Sequence, residues 1–156
     1  MKEYFYSYGG PVSEKEIEDF IGKNNLTLPS EYIEFIKEVN GGETKKVSFE
    51  LAKFDLENKK LDYYIDIDVF FSLAALNTVW NYTKGELNDD NLFPIAEVKG
   101  GMLICCLQLV SKNAEIYFYE TTSGKTKLTE SLGDFLELLI GENEVDFKKY
   151  GINYPS

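Results

Sequence analysis

Three groups of residues in this chain have types and spacings that could do chemistry. The first is Ser123-Gly124-Lys125-Thr126, which reads like the end of a phosphate-binding loop. Such a loop needs another glycine five positions earlier, so that successive backbone N–H groups can wrap a phosphate. That position is Tyr119, inside an apolar run that reads as a strand. Gly-Lys-Thr is therefore expected to be a turn. The second group is Asp66-Ile67-Asp68. Alternate residues of a strand share a face, which puts the two carboxylates about 7 Å apart. They could hold a divalent cation if Asp89 or Asp90 joined them. Two aspartates on the wet face of a half-buried strand are also ordinary, and no complete ligand set is visible. The third group is Cys105-Cys106, the only cysteines. Strand neighbours point to opposite faces, so these read as buried, inert thiols and not as a disulfide or metal pair. The chain has no histidine. This removes Ser-His-Asp and Cys-His nucleophile systems and histidine metal sites, and leaves carboxylate, lysine or tyrosine chemistry open.

The charge balance points to partners. Sixteen Lys and Arg stand against 27 Asp and Glu, a net charge of −11. A field of that sign repels nucleic acid and anionic membranes and attracts basic proteins. Eleven Tyr, eleven Phe and one Trp supply more aromatic surface than a small core needs, and tyrosine is favoured at interfaces. Exposed aromatics could equally serve a homodimer. No N-terminal signal segment and no membrane-spanning run is evident, so the expectation is a soluble cytoplasmic protein.

The elements that must position these residues follow from period and punctuation. At 156 residues and 44% hydrophobic, the chain is read as one domain with a core over about 13–140. Residues 1–12 form an edge strand or a packed arm, and 142–156 are left unassigned. Ser13 and Glu16 make a capping box ahead of Ile17, Phe20 and Ile21. A second helix starts at Pro29, carries Tyr32, Phe35, Ile36 and Val39 on one face, and stops at Asn40-Gly41. Strands are expected around Val47–Leu51 and over Asp62–Phe71. The latter puts Tyr63, Ile65, Ile67 and Val69 on one face and Tyr64, Asp66, Asp68 and Phe70 on the other. Ser72 caps a helix with Leu73, Leu76 and Trp80, and Gly85–Asn91 is an acidic loop. Strands follow at Phe93–Val98, Met102–Val110 and Glu115–Glu120. Ser131 and Asp134 cap a last helix with Phe135, Leu136, Leu138 and Leu139 inward. This order favours an α+β fold.

Several of these parts also occur together in a known family. Leu28-Pro29, the aromatic helix through Tyr32 and Asn40-Gly41-Gly42 come first. A strand then enters a helix through Phe70-Phe71-Ser72-Leu73. Phe93-Pro94-Ile95-Ala96, the Gly100-Gly101 turn, Leu103–Leu107, Ile116–Glu120 and the Ser131–Leu136 helix follow in order. The chain resembles the Smi/Knr-type domains of the SUKH superfamily over about residues 13–140. The resemblance implies a single α+β domain, a mixed sheet with helices packed on one side. It implies structural roles for Leu28, Pro29, Tyr32, Asn40, Gly41, Gly42, Pro94 and Gly101. Bacterial relatives look like immunity proteins that neutralise nuclease or deaminase toxins; fungal relatives look like scaffolds in cell-wall signalling. Neither role uses a catalytic centre or cofactor.

The leading expectation is thus a non-catalytic protein that occludes a basic toxin. Its contact surface is expected at Asp62, Tyr64, Asp66, Asp68, Glu86, Asp89 and Asp90. A regulatory scaffold is the alternative. A small metal-dependent enzyme built on Asp66 and Asp68 is a third reading.

Overall fold

The computed structural model describes residues 1–54, 57–87, 89 and 91–150. The chain starts with a 3-10 turn over Lys2–Tyr4 and the strand β1, Phe5–Tyr8. Two helices follow, α1 over Glu14–Lys23 and α2 over Ser30–Glu38. The Ser13–Glu16 capping box closes in both directions, with Glu16 N donating to Ser13 Oγ at 3.1 Å and Ser13 N to Glu16 Oε1 at 3.3 Å. Pro29 is the N-cap of α2, and Tyr32, Phe35 and Ile36 form its buried face. Three strands come next: β2 over Gly42–Thr44, β3 over Ser48–Phe54 and β4 over Lys60–Phe70. Helix α3 covers Leu73–Thr83. Then come β5, Leu92–Val98; β6, Leu103–Leu107; β7, Ile116–Glu120; and β8, Gly124–Thr129. Helix α4, Leu132–Leu138, leads into 3-10 turns at Glu142–Glu144 and Phe147–Tyr150.

The sheet runs β1-β2-β4-β5-β6-β7-β8, with β3 added along β4. The resemblance implies a mixed sheet, but every strand pair described is antiparallel. Consecutive strands joined by short turns can pair only that way, and the two helical connections, α1–α2 between β1 and β2 and α3 between β4 and β5, also return the chain antiparallel. The helices gather over one face, as the resemblance implies. The Phe93 ring meets Phe20 of α1, Tyr32 of α2 and Trp80 of α3, at 6.3, 6.0 and 5.3 Å between centroids. Phe70 meets Phe35 of α2 and Phe135 of α4, at 5.5 and 6.5 Å. Such tilted and edge-on pairs are the favoured aromatic geometries. A smaller cluster of Leu87, Leu92, Cys105 and Tyr119 forms separately from this core. Cys106 belongs to the main core and Cys105 to the small one, the opposed orientations that adjacent strand residues must have.

Four strands carry one residue more than their partners. Phe5 and Ser7 pair with the adjacent Thr44 and Glu43, Ile67 and Val69 with Val98 and Glu97, Pro94 and Ala96 with Cys105 and Ile104, and Thr129 and Lys127 with Ile116 and Tyr117. Tyr6, Asp68, Ile95 and Leu128 are the extra residues. A bulge shifts the alternation of faces by one. Phe70 is therefore on the core side with Ile65 and Ile67, 1% exposed, and not on the outer face with Tyr64 and Asp66 as plain alternation predicts. The bulge beside Pro94 also explains a proline inside a central strand. Leu138 is a further correction: it is 58% exposed, while Phe135, Leu136 and Leu139 are buried. The helix ends at Leu138, and its seven residues give the inward face room for Leu132, Phe135 and Leu136.

Candidate interaction site

Asn40, Gly41 and Gly42 lock the helix pair to the sheet. Asn40 Oδ1 accepts from Leu73 N at 2.8 Å, so the second residue past the end of α2 caps the start of α3. Gly41 has φ +74°, and a Cβ there would come within 2.5 Å of Ser72 N. A Cβ on Gly42 would come within 2.0 Å of Ser7 O, against β1. Leu28 packs against the core, and Tyr32 is buried with its hydroxyl lacking a hydrogen-bond partner. Burial pushes the Tyr32 phenol well above its ordinary pKa. Gly101 turns between β5 and β6, its N–H donating to Val98 O at 3.0 Å.

The outer face of β4 carries most of the residues expected to meet a partner. Asp62 and Asp68 are exposed. The Asp66 carboxylate accepts from Ser48 Oγ at 2.5 Å, and its backbone carbonyl accepts from Lys99 N at 2.9 Å. Tyr64 lies under the C-terminal segment: the Phe147 and Tyr150 rings sit 5.8 and 4.8 Å from it. The Tyr150 hydroxyl donates to Glu50, and Lys149 Nζ stands 3.7 Å from Glu50 Oε2. Burial, then the Glu50 carboxylate, holds the Tyr150 phenol up. The chain reaches this face by crossing the edge of β3, where Ser48 and Ile140 exchange backbone hydrogen bonds of 3.0 and 2.8 Å.

The loop residues fall elsewhere. Glu86 is exposed beside a small pocket it shares with Gly100 and Gly101. Asp89 pairs with Lys125 at 2.6 Å, and that ammonium holds its carboxyl below the usual range. Asp90 lies outside the described residues. Lys125 belongs to the Gly-Lys-Thr motif, which opens β8 of a β7–β8 hairpin instead of a helix. A phosphate cradle would require the loop to run into a helix N-terminus. Among the described residues, no three acids or cysteines gather as metal ligands. The bulge at Asp68 also breaks the shared face that the Asp66–Asp68 pair assumes. Both thiols are buried, and burial pushes both well above an ordinary cysteine pKa.

Glu31 is a structural acid that sequence reasoning missed. Its carboxylate accepts from Ala114 N at 2.7 Å, Leu132 N at 2.9 Å and Gly133 N at 3.1 Å. It ties α2 to the β6–β7 turn and to the first turn of α4. The three donors lie 83 to 102 residues away, so no local pattern announces them.

This arrangement of Leu-Pro, the Asn-Gly-Gly lock and a capped α3 extends over a family match. The SMI1 / KNR4 family (SUKH-1) model matches residues 11–138. The chain belongs to that family. A search of curated proteins and a search of solved structures each returned no match. The SUKH family is generally non-catalytic, and its members are often immunity proteins. Among the described residues, no helix of this SUKH-1 chain is long and apolar enough to cross a membrane.

Proposed function

We propose that the chain is an immunity protein acting in the cytoplasm, which binds a basic protein toxin of nuclease or deaminase type and blocks it by occlusion. The observation that carries this reading is a −11 charge on a SUKH-1 domain. Acids on the outer face of β4 and in the following loop supply the steering field. Asp68 and Glu86 are exposed, with carboxylates free of any ion pair among the described residues. Asp62 and Asp66 precede Asp68 on β4, and Tyr64, Asp89 and Asp90 complete the proposed contact set. Rim charges of this kind raise the association rate, while aromatic anchors slow dissociation.

The test is affinity capture from the lysate of the cell that makes the protein, at low and moderate salt. A basic polypeptide retained at equal stoichiometry, toxic when expressed alone and harmless when co-expressed, is the expected result. Recovery of signalling proteins alone, none of them toxic, would replace this reading with a regulatory scaffold.

A further inference from the structure

The surface opposite in character to the acidic one is built from two segments with no charged residue of their own, with the Lys2 ammonium 5.6 Å from the Tyr8 ring at its margin. Charged residues make up 28% of the chain, yet residues 4–13 and 69–83 contain none. The fold brings these two segments together. Ser7 and Tyr8 of β1, Gly41 between them, and Phe71, Ser72 and Ala75 line one shallow concavity of about 330 Å³. The Gly9 N–H donates to Gly41 O at 3.1 Å and fixes the end of β1 there.

Burial does not explain the missing charge. Helix α3 exposes Ala74, Asn77, Thr78, Asn81 and Tyr82, a stripe at the helical period that faces solvent. A solvent stripe on an ordinary surface helix is charged. Helix α1 has six charged residues in ten, α2 four in nine and α4 two in seven, whereas α3 has none in eleven. Tyr82 is 71% exposed and Tyr8 48%. Depletion of charge with exposed tyrosine marks the centre of a protein interface.

The occupant follows from charge and from shape. A basic partner is drawn to carboxylates, and this face has none to offer. Two copies of a −11 chain repel each other over most orientations, and a two-fold contact sets each patch against itself. A patch whose segments carry no carboxylate is where such copies can meet. The stripe is also self-complementary. Thr78 is the middle residue of α3. When the helix packs antiparallel on its own copy, Thr78 faces Thr78 and Tyr82 faces Ala74. The bulky end of one stripe then lies on the Ala74-Ala75 step of the other, beside the concavity.

We infer that α3 and the adjoining concavity form a two-fold interface between copies of this chain. The test uses the full chain in sedimentation velocity from about 1 to 300 μM, the range in which a modest interface becomes populated. The expected mass rises from 17.9 kDa toward twice that value. Thr78→Glu and Thr78→Lys each place like charges across the axis, and each variant alone should stay at 17.9 kDa with unchanged circular dichroism. Mixing the two should restore the doubled mass, which neither misfolding nor a contact elsewhere would do. A wild-type chain that stays at 17.9 kDa throughout, single variants that associate like wild type, or a mixture that stays monomeric would each overturn the inference.

Discussion

A single carboxylate, that of Glu31, holds three segments of the fold at one point. It accepts three backbone N–H groups and touches no lysine among the described residues. Charge-assisted hydrogen bonds are about twice as strong as neutral ones, and donors left buried without a partner cost more than the bond itself. Glu31→Ala should therefore cost about 2–4 kcal/mol. Glu31→Gln should fall between, because its amide keeps one acceptor oxygen but turns a donor toward N–H groups. Urea unfolding midpoints check this, and a loss below about 0.5 kcal/mol for the alanine variant would mean that water replaces the carboxylate. The sequence carries the capping box at Ser13 and Glu16 openly, because both partners lie within one helical turn. It hides Glu31, whose partners are distant in the chain. The same contrast holds for Asn40, legible as a helix stop but not as the cap of α3. Tyr64 is a third case: its spacing puts it on the outer face, and only the fold shows the C-terminal segment lying over it.

Elements were legible where they are buried and locally punctuated. The faces of α1 and α2, the Ser72 cap and the core strand β6 follow from period and turn residues. Two strands escape that logic. β2 has three residues, and β8 reads Gly-Lys-Thr-Lys-Leu-Thr, whose partly polar edge lacks an apolar alternation. The bulges escape it too, since one inserted residue leaves no mark on composition. The apolar run from Met102 to Val110 ends as a strand at Leu107, and Val110 is 89% exposed in the turn beyond. The β8 edge is tied to the loop after α3 by Lys125 and Asp89, and this tie has a pH signature. Lys125 depresses the Asp89 pKa, so its stabilisation is full above the unfolded value near 3.8 and disappears as pH falls through the lower folded value. The pair is partly exposed, so it is worth about 0.5 kcal/mol. Asp89→Asn should lower stability by that amount at neutral pH and by nothing near pH 2, in paired urea titrations. A difference that persists at acid pH would show that the loss is not one of charge, since the asparagine Oδ1 can still accept from Asn91 N.

At the scale of the whole molecule, charge makes the acidic and neutral faces respond to salt in opposite ways. The 27 carboxylates outnumber the basic groups by eleven, so copies of the chain repel at long range. Raising ionic strength from 0.01 to 0.1 M shortens the screening length from about 30 Å to about 10 Å. Repulsion between approaching copies then fades before they touch, while the contact at α3, which has no charge to screen, keeps its strength. Self-association should accordingly tighten over this range. The proposed capture of a basic partner by Asp62, Asp68 and Glu86 would depend on the same long-range field with the opposite sign, so its association rate should fall. Stopped-flow association with the captured partner and sedimentation of the chain alone, in the same salt series, separate the two. If both contacts weaken with salt, the α3 face is electrostatic after all and the dimer assignment fails. If both strengthen, the acidic face does no steering, and occlusion of a basic toxin loses its physical basis.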